Sequence, residues 1–267
     1  MKPFNEQIDA LVKLGYGQPA ARAKVAHDAI LLAMARSGFK KLSTVKGGVV
    51  MSHVTNDIRR TTMDMDIAFV KHSISDLSIR RFVNRLNCLP RIRISIFGTI
   101  GELLHDDYRG KRAYLDVTDG TIARPIRTKL DIGVHTHGEI KQVEYDFRLA
   151  DEKEHADLFA NSKEQIFAEK LLSLIRFRAL SKRPKDVFDM YFLRDNLNPA
   201  RLRTYVSILI YKNPKCQPKT RAEVVAILKD VFASRVFMRR LASAKANWVQ
   251  VNPEVATKEL VNFVASF

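Results

Sequence analysis

The spacing of apolar residues changes character twice along this 267-residue chain. Residues 3–14 and 19–37 read as helices. In the second, Ala23, Ala26, Ile30, Ala33 and Met34 recur near the helical period, and Gly38 stands where such a helix would stop. Residues 43–45 are expected to form a first strand, 49–54 a short helix after a Gly-Gly turn, and 63–70 a second strand. Residues 75–87 read as a helix with Leu77, Phe82, Val83 and Leu86 on one side and Arg80, Arg81 and Arg85 mostly exposed. From Arg91 to Phe147 the period drops to two: Ile92, Ile94 and Ile96 alternate with Arg91, Arg93 and Ser95. Further strands are expected at 113–117, 126–134 and 141–147, divided by turn-like Asp-Gly and His-Gly pairs. A helical half then opens at Ser162, with Gln165 three residues on in a capping-box pattern. Its first helix would bury Ile166, Phe167, Leu171, Leu174 and Ile175, with Lys170 near that face. Pro184 suits the first turn of the next helix, where Asp186 and Asp189 are surface neighbours. Residues 199–267 read as three or four more helices: 200–211, 221–232, 234–245 and 257–267. The expected class is α+β, a mixed sheet with helices on one side (residues 1–155) followed by a helical domain (156–267).

Composition narrows the functional classes. The chain is 46% hydrophobic, which favours a globular protein over a disordered one. Two cysteines, Cys88 and Cys216, provide no disulfide framework and suit a reducing cytoplasm. Glu6 and Asp9 interrupt the N-terminal apolar residues, so no signal peptide is read there, and the longest purely apolar run, residues 29–35, is too short to cross a membrane. The net charge of +16 changes the picture most, because such an excess favours polyanions through counterion release. It is uneven: residues 170–245 hold 18 Lys and Arg against 5 Asp and Glu. A surface for RNA or DNA is the expectation.

The chemistry gathers in residues 46–69, KGGVVMSHVTNDIRRTTMDMDIAF. On a strand Asp64 and Asp66 point to one side, and Met63 and Met65 to the other. Two adjacent carboxylates repel each other unless a cation lies between them, and a hard divalent ion such as Mg2+ takes oxygen ligands. The Gly47-Gly48 backbone has no Cβ and can approach a ligand closely, with N–H groups able to hold phosphate. Asp131 stands in an otherwise apolar strand, where a lone carboxylate is costly unless paired. It is either half of a salt bridge with Arg127 or Lys129, or a third metal carboxylate.

Lys46-Gly47-Gly48, then Arg60-Thr61-Thr62 and Asp64-x-Asp66, resembles the first motif of the polymerase-beta-like nucleotidyltransferases. More closely it resembles the AbiEii/AbiGii type IV toxin family. Ala168-Glu169-Lys170-Leu171, followed by Arg178 and by Lys185-Asp186-x-x-Asp189, is similar to that family's later motifs and falls in the same order. The resemblance spans residues 46–193. It implies a polymerase-beta-like nucleotidyltransferase core, with Asp64, Asp66 and Asp131 as ligands of a two-metal Mg2+ site. Lys46, Gly47, Gly48, Arg60, Thr62, Lys170 and Asp189 would bind the nucleotide, and Asp186 would orient Lys170 or act near the attacking hydroxyl. Arg127 occupies a position where the family often has lysine. The implied reaction is transfer of NMP from an NTP to nucleic acid, with the 3′ end of tRNA as acceptor, so that translation is blocked. The implied partner is a cognate antitoxin.

Other constellations carry less. His135 and His137 would share a strand face, but lack the third ligand of a zinc site and read better as a solvated loop. His105-Asp106-Asp107 before Tyr108-Arg109-Gly110 reads as a hydrophilic hairpin turn. No Walker-type phosphate loop or Gly-x-Ser-x-Gly elbow is present. Tyr205, Tyr211 and Trp248, among basic residues, suit either an RNA grip or ordinary core. Two rival functions fit the same residues: a kinase-like or NMP-transferring enzyme acting on protein, and a non-catalytic nucleotide- or RNA-binding module.

Overall fold

A computed structural model describes residues 1–104, 109–243 and 245–267. The expected hairpin turn at residues 105–108 lies outside them. The chain divides into two compact units, Met1–Asn161 and Ser162–Phe267.

The first unit is α+β. Helices α1 (Phe4–Lys13) and α2 (Gln18–Arg36) precede strand β1 (Ser43–Lys46), helix α3 (Gly47–Thr55), strand β2 (Asp64–Phe69) and helix α4 (Asp76–Arg85). Strands β3 (Arg93–Leu104), β4 (Arg109–Thr118), β5 (Ile126–Val134), β6 (Val143–Arg148) and β7 (His155–Ala160) follow. They form one seven-stranded sheet in the order β3-β4-β5-β2-β1-β7-β6. The pairs β2–β5 and β1–β7 are parallel and the rest antiparallel.

All the helices that can be placed by side-chain contacts lie on one face. His27 of α2 meets Thr128 of β5 at 3.0 Å, Phe82 of α4 packs edge-on against Phe69 of β2, and His53 of α3 against Phe147 of β6. Alternation decides what is left for the other face. In β5, Ile126, Thr128, Leu130 and Ile132 are buried, whereas Arg127, Lys129 and Asp131 are not. The same alternation in β2 buries Met65 and Ile67 and leaves Asp64 and Asp66 half-buried. Hydrophobic burial on the helix side therefore orients the carboxylates toward the other.

Several expectations need correction. Strand β7 was not legible in the alternation, and β3 runs eight residues past Ile96, through a register irregularity after Phe97 where Gly98 adopts φ +70°. Strand β6 begins at Val143 rather than at residue 141. Leu77 is exposed, and the buried stripe of α4 is Ile79, Phe82 and Val83. The glycine pair is the first turn of α3 rather than a turn before it.

The second unit is helical: α5 (Lys163–Phe177), α6 (Lys185–Leu193), α7 (Pro199–Val206), α8 (Arg221–Ala233), α9 (Arg235–Leu241) and α10 (Pro253–Ser266). Ser162, Asn198, Thr220, Ser234 and Asn252 each accept a backbone N–H in the first turn of the helix they begin. Tyr205 and Trp248 are buried, which settles them as core. Among the described residues no helix is long and apolar enough to cross a membrane.

Candidate active site

The site in the first unit is built where β1 ends and α3 begins. Lys46 is the N-cap, in extended conformation, and its own side chain makes no capping hydrogen bond. The N–H groups of a helix's first turn, with the positive end of the helix dipole, form a general anion-binding arrangement. Gly47 has φ +58°, and a Cβ there would lie 2.7 Å from Asp66 Oδ2. At Gly48 a Cβ would lie 2.6 Å from Thr62 Oγ1. Both positions must be glycine, one for backbone conformation and contact, the other for contact alone. The helix start is thereby held directly against one acid and one hydroxyl of the motif. Thr62 in turn donates its hydroxyl to the Asp64 carbonyl at 3.1 Å.

Strand register brings the acids together. Asp66 pairs with Lys46 across β1–β2 and with Asp131 across the parallel β2–β5 ladder, and Asp64 pairs with Lys129. Register partners share a face, so Asp64, Asp66 and Asp131 project from one side of the sheet. Asp64 meets Lys129 Nζ at 2.5 Å. The Arg112 fork of β4 holds both oxygens of Asp131, at 2.7 and 2.8 Å. That bidentate pair keeps the Arg112 guanidinium even more firmly protonated than usual, chiefly through the hydrogen bond to Asp131. Asp131 is thus salt-bridged, but to Arg112 and not to Arg127 or Lys129. Arg127 instead grips Asp116 and lies over the Phe97 ring.

Arg60 is 4% exposed and donates to the Thr61 carbonyl at 3.2 Å, which places its guanidinium inside the loop leading to β2. His135 lies just beyond β5 and is tied to Ile140 and Gln142, with His137 further along the same loop, so the two do not share a strand. Among the described residues, no group of three or more His, Cys, Asp or Glu side chains is arranged to hold a metal ion. The donors that face one another here are all carboxylate oxygens, the chemistry a hard divalent cation takes. In this arrangement Lys129 and Arg112 supply the compensating charge.

In the second unit, Lys170 of α5 contacts Asp186 of α6 and lies 2.8 Å from Asp189. Asp189 is fully buried, and its other oxygen accepts Trp248 Nε1–H at 3.0 Å. Ser162 caps α5 through Gln165 N–H, but the Gln165 side chain turns to Glu169, so only half of the expected capping box forms. Sequence reasoning missed Arg112 and the pair Phe97 and Tyr114. Assigning each β3 and β4 residue to a face of the sheet would have found all three.

The family described as nucleotidyl transferase AbiEii toxin, type IV TA system, matches residues 29–250. Two solved structures are similar at 14% identity. JHP933 from Helicobacter pylori aligns over 94% of this chain and 95% of its own, with a TM-score of 0.49. An antigenic nucleotidyltransferase-like protein from Paracoccidioides brasiliensis aligns over 83% and 92%, with a TM-score of 0.46. No curated protein matches the chain. With its family match extending over most of its length, the chain belongs to the AbiEii nucleotidyltransferase toxins of type IV toxin–antitoxin systems.

Proposed function

We propose that this toxin transfers a nucleoside monophosphate from an NTP to the 3′ end of a tRNA in the cytoplasm, and so blocks translation. The observation that carries the reading is the close approach of the Gly47-Gly48 helix start to the acid-bearing strand. It supports a phosphate-binding role for that backbone, beside the in-register carboxylates. The Gly47 and Gly48 N–H groups, with Lys46 and Thr62, hold the triphosphate; Arg60 braces the loop that carries Thr62. Asp64, Asp66 and Asp131 would hold Mg2+, which when bound would stabilise the entering and leaving oxygens of an in-line displacement. Asp64 and Asp131 would exchange Lys129 and Arg112 for that ion. The acceptor 3′-oxygen forms a bond to the α-phosphorus, the bond to the β-phosphate oxygen breaks, and pyrophosphate leaves. The family resemblance gives Lys170, held within the helical unit by Asp186 and Asp189, the role of neutralising phosphate charge. A cognate antitoxin, as its family's systems pair with each toxin, would restrain the activity.

The test incubates the protein with total tRNA, Mg2+ and each α-32P NTP in turn, beside Asp64→Ala. Label entering tRNA with one or two NTPs, and lost in the variant, is the expected result. Transfer only from γ-32P ATP into protein would make the enzyme a kinase. Absence of any transfer despite NTP binding would leave a binding module.

A further inference from the structure

The sheet face that carries the acids continues past them across three more strands. Phe97 of β3 pairs with Tyr114 of β4, Tyr114 with Lys129 of β5, and Lys129 with Asp64 of β2. These four residues make one straight row on adjacent strands, ending at the Asp-x-Asp pair. Phe97 is 48% exposed and Tyr114 41%, while their strand neighbours Ile94, Ala113 and Leu115 are buried on the other face. A single exposed aromatic needs no explanation. Here two stand side by side, and a third flat group lies on one of them. The Arg127 guanidinium carbon lies 3.2 Å from the Phe97 ring centre. Asp116 holds that guanidinium with two hydrogen bonds, 2.9 and 3.0 Å. A half-exposed arginine held flat by a carboxylate presents its outer plane for stacking, with less side-chain entropy to lose on binding.

We propose that Phe97, Tyr114 and Arg127 form a stacking platform for the unpaired bases just upstream of the acceptor's 3′ end, a proposal that rests on the transfer reading above. Aromatic rings and guanidinium planes on an exposed sheet bind single-stranded RNA with little regard to sequence. The groups around the row, Arg93, Ser95, Asp116 and Lys129, are polar, which suits a polyanion with bases better than an apolar protein surface. The chain's +16 charge points the same way. Direction separates this ligand from the NTP base. With the triphosphate at Gly47-Gly48, beside β1, pyrophosphate leaves on that side of β2. In-line attack then brings the acceptor from the opposite side, along β5, β4 and β3. At about 4.8 Å per strand the platform begins roughly 10 Å from Asp64 and ends near 15 Å. At about 3.4 Å per stacked nucleotide, it holds bases roughly three to four positions from the reacting hydroxyl.

The test uses the full chain carrying Asp64→Ala, so that bound RNA is not extended. Binding of a short unpaired 5′-fluorescein RNA is followed by anisotropy. Adding Phe97→Ala and Tyr114→Ala should weaken binding about tenfold or more, whereas Tyr114→Trp should hold it within about twofold. Both residues are exposed, so the variants keep the fold, and the Trp substitution controls for it. In the Asp64 form of the enzyme the double variant should raise KM for RNA and leave KM for NTP unchanged. RNA binding unchanged in the double variant, no binding by the parent, or a raised KM for NTP instead would overturn the platform. If binding is lost in the double variant but no NMP reaches RNA with any variant, the transfer reading fails and the platform stands. If transfer proceeds and the double variant binds normally, the platform alone falls.

Discussion

Asp64 and Asp189 are both paired with lysine, yet they sit in opposite environments. Asp64 lies half-exposed on a strand, facing Lys129. Asp189 is sealed within a helical unit between Lys170 and Trp248, with no exposure at all. A half-exposed ion pair in high dielectric contributes little to stability, so its carboxylate is free to exchange one cation for another. A buried pair cannot be exchanged cheaply, because removing one partner strands a charge out of water. The first arrangement suits chemistry and the second suits holding a lysine in place.

Substitution at the two acids should separate them most widely. Asp189→Ala should lower unfolding stability by about 3–5 kcal/mol, whereas Asp64→Ala should stay within about 1 kcal/mol while abolishing transfer. Urea midpoints read beside the tRNA-labelling assay check both. Equal stability losses would remove the distinction.

The next effect concerns the helix-covered face behind the acids. Burial pushes His27 down to about 4 from an ordinary 6.5; Asp28 and Asp64 favour its charged form and Lys24 and His53 oppose it. Its folded value lies below the unfolded one, so its contribution is complete above pH 6.5 and is lost as pH falls toward 4. The whole interval corresponds to on the order of 3 kcal/mol. His53, also held low mainly by burial, acts in the same direction. His27→Gln should therefore flatten, without abolishing, the fall in stability between pH 6.5 and 4. An unchanged slope in urea titrations would show that the proton goes elsewhere. The second unit has no histidine, so no comparable histidine titration arises there.

The smallest effect belongs to the helical unit. Ser162→Ala should cost about 1 kcal/mol through loss of the Gln165 N–H bond, visible as a shift in thermal midpoint with transfer unchanged at low temperature.

Much of this architecture could be read from the chain because local rules agreed with the tertiary result. The period of α2, the Ser162 cap and the alternation in β5 each follow from neighbours within a few residues. Strand β7 escaped because His155–Ala160 has a polar face that reads as loop until β1 and β6 are set beside it. The glycine pair and the carboxylates could be picked out by type and order. Their ion-pair partners could not. Arg112 reaches Asp131 only because the β4–β5 register puts it opposite, and nothing within either segment fixes that register to the residue. Phe97 and Tyr114 were hidden for the same reason, since each looks like core until the sheet's two faces are assigned.

The parallel β2–β5 ladder also has a consequence for synthesis. Asp66 and Asp131 are side by side in space and 65 residues apart in sequence, with strands β3 and β4 lying between them in the chain. Non-local pairings of this kind close late. A growing chain carries the glycine loop and the first two acids for a long stretch of translation before the third arrives. Until β5 has been made, the strand that puts Asp131 beside Asp66 is missing, so the three acids come to share one face only late in synthesis.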